Sequence, residues 1–334
     1  MKCTNKKIMT ILLCLCIASG TLVGCGKEEA LDKPYNPYQV TLSDSTSKEA
    51  KKSAATDFLG SEICLVPQND VLLNGLDNTY IKGAGAFNIS TGETQYAYHA
   101  LDKCYPASTT KILTAHLVLK YGKLKDKVII SKNATMLPPG AMSAGLVEGD
   151  EVTVENLLYG LMFVSGNDAA IALAEYVSGT VEEFAKLMNE EAKELGATSS
   201  HFVNPNGIHD DEHYSTVYDM YLISDAAFKD VTFQKIIKTK KKTVKIQSVN
   251  GTIRKQTYKN GNRFLQNKVN IPETYKVLGG KSGTTYKAGK CFILFTEDKK
   301  KDNRILIVMG ADTSEHLDVF MSGLMEKIQE INKK

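Results

Sequence analysis

The stretch Pro106-Ala107-Ser108-Thr109-Thr110-Lys111-Ile112-Leu113-Thr114-Ala115 constrains this chain more than any other. His116-Leu117-Val118-Leu119-Lys120 follows it, and Ile112, Leu113, Leu117 and Leu119, with Ala115 and Val118, predict an apolar helix entered through a proline. Three residues make roughly one helical turn, so Ser108 and Lys111 share a face at its N-terminal end. A serine hydroxyl is a weak nucleophile until a neighbour takes its proton. A free lysine, with a pKa near ~10.4, is almost wholly protonated at pH 7. Turning it into a base requires roughly 4 kcal/mol of bias against the ammonium, from burial and nearby positive charge. The helix N-terminus and a second lysine are the expected sources of that charge. Ser-x-x-Lys alone says little, because Ser45-Thr46-Ser47-Lys48 also matches it inside a polar stretch, and a serine so placed ordinarily caps a helix.

Two further elements strengthen the signal. Ser165-Gly166-Asn167 falls at a break in a helical pattern, where a hydroxyl and an amide can project into a cleft. Lys281-Ser282-Gly283-Thr284 sets a cation, a hydroxyl, a position without a side chain and a backbone amide along one strand edge. Lys281 and the hydroxyl suit a carboxylate through charge-assisted bonds. Gly283 would let a substrate backbone approach, and the amides of Ser108 and Thr284 suit an oxyanion. A second Ser-x-Asn, Ser248-Val249-Asn250, lies at an Asn-Gly turn, whereas Lys281-Ser282-Gly283 has no double.

The N-terminus reads as a targeting segment. Lys2, Lys6 and Lys7 precede an apolar run from Ile8 to about Leu22, too short for a comfortable membrane span. Leu22-Val23-Gly24-Cys25 resembles the lipobox of bacterial lipoproteins, which implies cleavage before Cys25, lipidation of its thiol and an extracytoplasmic, membrane-anchored protein. Residues 26–60 are rich in Lys, Glu, Ser, Thr and Asp and predict a flexible tether, with the folded domain over 61–334. Once the leader is gone, Cys64, Cys104 and Cys291 remain, an odd number that leaves either one pair or three buried thiols. A net charge of +3, no Trp and no aromatics interleaved with basic residues argue against nucleic acid as a partner.

Within the domain, Ala84–Ile89 and Gln95–His99 flank a Ser-Thr-Gly-Glu turn and predict a hairpin. Helical patterns follow over 157–164, from Asp168, over 181–195 and over 216–228. Strands return after Lys238, with a hairpin of 243–247 and 252–256 about Asn250-Gly251. Further strands cover 277–281, 290–295 and 304–310, and an amphipathic helix over 313–331 closes the chain. Strands, a helical middle, strands and a helix predict an α+β fold with an antiparallel sheet.

Ser-x-x-Lys, Ser-x-Asn and Lys-[Thr/Ser]-Gly form the motif set of penicillin-binding proteins and class A β-lactamases. The surroundings narrow this. Tyr105–Lys111, Leu157–Met162 before Ser165–Ala170, Gly280–Thr285, Phe202–Gly207 and His213–Thr216 resemble the low-molecular-mass D-alanyl-D-alanine carboxypeptidases. That resemblance implies a helical lobe beside a five-stranded antiparallel sheet, with the site between them. It further implies acylation of Ser108 by the D-Ala-D-Ala end of peptidoglycan stem peptides, with Lys111 as base. Ser165 and Asn167 would move protons and hold the substrate amide, while Lys281, Ser282 and Thr284 would bind the terminal carboxylate and the oxyanion. β-Lactams would trap Ser108, and no cofactor is implied. Ser282 stands where the family usually has threonine, and a hydroxyl is kept. By that resemblance the chain is expected to lack the C-terminal β-domain and amphipathic anchor that many relatives carry, so that lipidated Cys25 would supply the attachment.

An endopeptidase cutting cross-links would use the same residues. A class A β-lactamase needs a Glu-x-x-x-Asn loop, and none occurs between Val181 and Gly207. A non-catalytic wall-binding lipoprotein would not need Ser108, Lys111, Ser165, Asn167 and Lys281 together. His209 and His213, four apart among Asp210, Asp211 and Glu212, invite a metal, but Asn206-Gly207 and the acidic run predict a loop, and no metal is expected. The run Lys238, Lys240, Lys241, Lys242 and Lys245 reads as a solvated strand edge, with anionic wall polymer as the alternative.

Overall fold

The computed structural model describes residues 63–332, all within one compact unit spanning Thr56–Lys334. The leader, Cys25, the Ser45–Lys48 decoy and the 26–60 tether lie outside the described residues. The first hairpin forms as its alternation predicts, with β1 at Gly83–Asn88 and β2 at Glu93–Tyr98. Ala107–Thr110 is a single 3-10 turn leading into α1, Lys111–Tyr121, so Ser108 sits on the tighter turn ahead of the helix proper.

β3 (Lys127–Ile129), α2 (Lys132–Thr135) and β4 (Glu151–Thr153) come next, then α3 (Val154–Phe163), α4 (Asn167–Ser178) and α5 (Val181–Glu194). α6 (Val217–Phe228) and α7 (Val231–Lys238) lead to the strands β5 (Lys241–Gln247) and β6 (Ile253–Lys259). β7 (Tyr275–Thr285), β8 (Gly289–Asp298) and β9 (Asn303–Ala311) precede the closing helix α8 (Ser314–Ile331). Threonines at 153, 180, 216 and 313 each accept the amide three residues on, so four helix starts share one sequence signature.

The fold is α+β, as the order of elements predicts. A five-stranded antiparallel sheet runs β2-β1-β9-β8-β7. Its middle strands are apolar on both sides because both faces are covered. Phe87, Ile293, Phe295, Ile305 and Ile307 face the helical body, whereas Leu294, Leu306 and Val308 face Leu317, Phe320, Met321 and Leu324 of α8.

Two features depart from the sequence reading. The Lys241–Lys259 hairpin leaves the main sheet and joins a second, four-stranded one of order β3-β4-β5-β6. β3 and β4 have three residues each, too few for a readable alternation. Helix α7 was also missed, since its eight residues carry Lys235 and Lys238 and merge into the following basic run. The three thiols are free, and burial pushes Cys64 and Cys291 up to about 11, which makes both inert.

Phe295 joins sheet to helices. It is fully buried, stacks on Phe228 at 4.9 Å between centroids, and meets Phe233 edge-on at 5.8 Å. Phe295→Ala removes these contacts and leaves a cavity on the seam, at a cost of about 3–5 kcal/mol. Denaturant unfolding should show that loss as a lower midpoint with an unchanged slope.

Candidate active site

The site lies where the 3-10 turn, the α3–α4 break, the 204–208 loop and strand β7 converge. Lys111 is fully buried, and its Nζ has three oxygen neighbours: Ser108 Oγ at 3.1 Å, Asn167 Oδ1 at 2.8 Å and the Asn206 carbonyl at 2.5 Å. A neutral amine has two hydrogens and one lone pair. The amide and carbonyl oxygens only accept, so they take both hydrogens, and the lone pair is left for the Ser108 hydroxyl proton. Burial first, and then the charge of Lys281, drive the Lys111 pKa well below the ordinary lysine range. Burial thus favours the neutral form of the amine, and its two acceptors aim the lone pair.

Each partner is fixed from below. Asn167 opens α4, and its own N–H donates to the Met142 carbonyl at 2.9 Å. Asp168 beside it is buried and accepts from Ser143 Oγ (2.6 Å), the Ala144 amide (2.8 Å) and the Leu146 amide (3.1 Å). That carboxylate ties the 143–146 loop to the first turn of α4, where its charge also suits the helix N-terminus.

Asn204 Oδ1 accepts from Gly207 N at 2.7 Å, and Asn206 Oδ1 accepts from Ile208 N at 2.9 Å. These side-chain turns aim the Asn206 carbonyl inward. Thr114 Oγ1 donates to the Pro205 carbonyl at 2.6 Å and clamps the same loop onto α1. Gly207 has φ +76°, and a Cβ there would stand 1.8 Å from the Ala107 carbonyl oxygen.

Strand β7 completes the cleft. It is an edge of its sheet, so its outer backbone groups have no strand partner. A Cβ on Gly283 would lie 2.7 Å from the Ser108 amide, so the missing side chain brings β7 against the turn that carries Ser108. Lys281 is buried, and its Nζ donates to Ser165 Oγ at 3.0 Å and to the Ser282 carbonyl at 2.6 Å. Burial lowers its pKa to about 7. Ser282 and Thr284 sit on the other side of the pleat and are exposed. Backbone strain gathers here, since Ala107 (φ +49°) and Ser165 (φ +57°) both adopt the left-handed region without being glycine.

Two hydrogen-bonded sets thus form from the residues singled out in sequence: Ser108, Lys111 and Asn167, and Lys281 with Ser165. The decoy at Ser248–Asn250 is a hairpin turn, closed by the Gly251 amide donating to the Ser248 carbonyl at 2.8 Å. The structure adds what the sequence reading missed. The Asn206 carbonyl and the Asp168 loop latch are backbone geometry that no residue pattern announces. His213 is buried, accepts the Val203 amide at Nδ1 (3.2 Å) and so presents Nε2–H to Thr110 Oγ1 at 2.9 Å. Burial lowers it to about 4, so it stays neutral and supports the turn after Ser108. Its partner in the apparent metal pair, His209, instead meets the Tyr105 ring edge-on.

A family model described as D-alanyl-D-alanine carboxypeptidase matches residues 82–313. The chain is 33% identical over 252 residues to D-alanyl-D-alanine carboxypeptidase DacF of Bacillus subtilis (strain 168), which covers 73% of this chain and 61% of that protein. It is 38% identical over 223 residues to the D-alanyl-D-alanine carboxypeptidase of Streptomyces sp. (strain K15), covering 63% of this chain and 74% of that one. The crystal structure of the Streptomyces K15 DD-transpeptidase is similar with a TM-score of 0.70 and 32% identity, over 77% of this chain and 98% of that chain. The chain thus spans less than two thirds of the Bacillus relative's length.

Gly207→Ala tests the loop's role in aiming Asn206. The added methyl must displace the Ala107 carbonyl or the loop, at a cost on the order of 2 kcal/mol. Penicillin acylation of the folded variant should slow at least about tenfold, because a misplaced base carries a large rate penalty.

Proposed function

The chain belongs to the D-alanyl-D-alanine carboxypeptidase family of serine peptidases, and on that premise we propose that it removes the terminal D-alanine from peptidoglycan stem pentapeptides through an acyl-enzyme on Ser108. The observation that carries this reading is the Lys111 amine, buried, with both hydrogens engaged and its lone pair facing Ser108 Oγ at 3.1 Å.

The substrate's D-Ala-D-Ala end lies along the open edge of β7 as an added strand. Its carboxylate meets the Lys281 ammonium with the Ser282 and Thr284 hydroxyls. An arriving anion raises the Lys281 pKa from about 7, so that binding itself fixes the charge. Ser108 Oγ attacks the carbonyl carbon between the two alanines as its proton passes to Lys111 Nζ. The oxyanion rests on the Ser108 and Thr284 amides, which the bare Gly283 brings together. The amide C–N bond then breaks as Lys111 passes the proton it took from Ser108 to the leaving nitrogen by way of the Ser165 hydroxyl, which Lys281 holds, so that Lys111 is neutral again. Asn167 holds the amine and the substrate amide. Water attacks the ester carbonyl, Lys111 accepts its proton, and Ser108 is released with the shortened peptide.

A β-lactam enters by the same route and stalls at the ester. The acyl group can also pass to an amine, and the similarity to a DD-transpeptidase favours keeping that second outcome in view. The buried Asp168 carboxylate is engaged by three donors from the 143–146 loop, which supports a peptidase over a β-lactamase with a free activating carboxylate. The signal pattern ending at Cys25 supports attachment to the outer face of the membrane through a lipid. Among the described residues no helix is long and apolar enough to cross a membrane.

The purified chain should release free D-alanine from a pentapeptide and take up a fluorescent penicillin, while Ser108→Ala should do neither with an unchanged melting temperature. Release of D-alanine without an acyl-enzyme, or labelling that survives Ser108→Ala, overturns the reading. Splitting of a cross-linked dimer in preference to the pentapeptide would assign endopeptidase activity instead. Protonation fills the lone pair of Lys111, so acylation should be fast above its depressed pKa and fall as pH is lowered through it.

A further inference from the structure

The outer face of the β5–β6 ribbon carries an arrangement that the catalytic site does not use. Lys241 stands directly opposite Lys259, and Lys245 opposite Lys255. Between the two pairs Thr243 faces Thr257, with hydroxyls 2.9 Å apart. All four lysines are exposed and share one side of the pleat. Residues so paired lie about 5 Å apart at Cβ, and like charges there are destabilising. The ribbon therefore keeps two unfavourable pairs on one face, on either side of the threonine pair.

Local carboxylates do not relieve them. Glu155 turns to Lys235 and Lys242, Asp150 pairs with Arg254, and Glu151 pairs with Lys127 at 2.6 Å. Among the described residues none of the four lysines has an ion-pair partner. Lysines on a sheet edge discourage aggregation, which accounts for Lys255 and Lys259 on the edge strand β6. β4 meets β5 only at Gln247, so Lys241 and Lys245 also border an open edge, but edge protection does not call for like charges set directly opposite one another.

We propose that this face docks a linear polyanion bearing phosphate groups along its backbone, with one phosphate held between the ammoniums of each lysine pair. Ammonium groups act as point charges that suit phosphate without a fixed fork geometry. The pairs are four residue steps apart, about 14 Å along the ribbon, and the threonine hydroxyls lie midway. The face presents no aromatic ring on which a base could stack, which disfavours a single-stranded nucleic acid. The ribbon's exposed apolar side chains, Ile253 and Val249 at its turn, are too few to enter a bilayer, which disfavours a lipid surface. The ribbon's inner face is bound to the catalytic unit, since Tyr258 donates to the Ala144 carbonyl at 2.9 Å within the loop latched by Asp168. A polymer held outside therefore lies on the element that braces the cleft. This surface is independent of the chemistry at Ser108.

The test uses the full chain, soluble poly(glycerol phosphate) as probe, and the variant K241Q/K245Q/K255Q/K259Q. Wild-type protein should bind the polymer at low salt and lose it steeply as salt rises. The variant should bind at least about tenfold more weakly, because each lysine removed weakens the hold on phosphate. Its penicillin acylation should be unchanged, and its melting temperature equal or higher once the repulsion is removed. Should the fourfold variant fail to fold, K241Q/K259Q and K245Q/K255Q each test one pair, and each should weaken binding. Equal binding by wild type and variants, no binding by wild type at low salt, or capture by phosphatidylglycerol vesicles that exceeds polymer binding and is lost in the fourfold variant would each overturn the proposal.

Discussion

The structure depends on burying one lysine amine where the uncharged form is favoured. Lys111 is buried completely among three oxygens, and transfer of a charged amine into such a place is costly unless the group gives up its proton. The fold turns that cost into reactivity. An amine that must be neutral to stay buried is an amine with a lone pair to offer, and its two fixed acceptors leave the lone pair a single direction. Lys281, also buried and about 3 Å from Ser165 Oγ, adds positive charge that pushes Lys111 the same way.

The rest of the architecture holds these atoms still. The sheet supplies β7 as an edge with Gly283 against the Ser108 amide, and the helical body supplies α1 and α4 with their polar ends turned to the same point. Loops carry the fine positioning. Asp168 latches residues 143–146, Asn204 and Asn206 fold the 204–208 loop on itself, and His213 props Thr110 from behind. The left-handed backbones of Ala107 and Ser165 are strained, and the surrounding fold must hold them, Ala107 by burial and Ser165 through the Lys281 amine that donates to its hydroxyl.

Much of this was legible in the chain before any coordinates. Ser108 and Lys111 are three residues apart on one helix entry, so their proximity is local. Ser165, Asn167 and Lys281 were legible as residue types at a helix break and on a strand, and their resemblance to a motif set tied them together. Their pairing was not: Ser165 and Lys281 meet across 116 residues, and nothing in either segment says that the two side chains bond to each other. The Asn206 contribution is a backbone carbonyl, which every residue possesses and no pattern marks. His213 looked like half of a metal pair because sequence shows spacing and not direction; in the fold it turns inward to Thr110 while His209 turns to Tyr105. The four-stranded sheet escaped because β3 and β4 are three residues long and far from the hairpin they extend.

The charge on Lys111 decides between this account and any other, and it can be read directly. Selective ¹³C labelling of the lysine side chains, with Lys111 assigned by substitution, gives the Cε chemical shift of that residue as a function of pH. The account predicts a titration displaced well below the range of the surface lysines, with Lys111 losing its proton while they keep theirs. A Lys111 that titrates together with the surface lysines, near the ordinary value for the side chain, would contradict it.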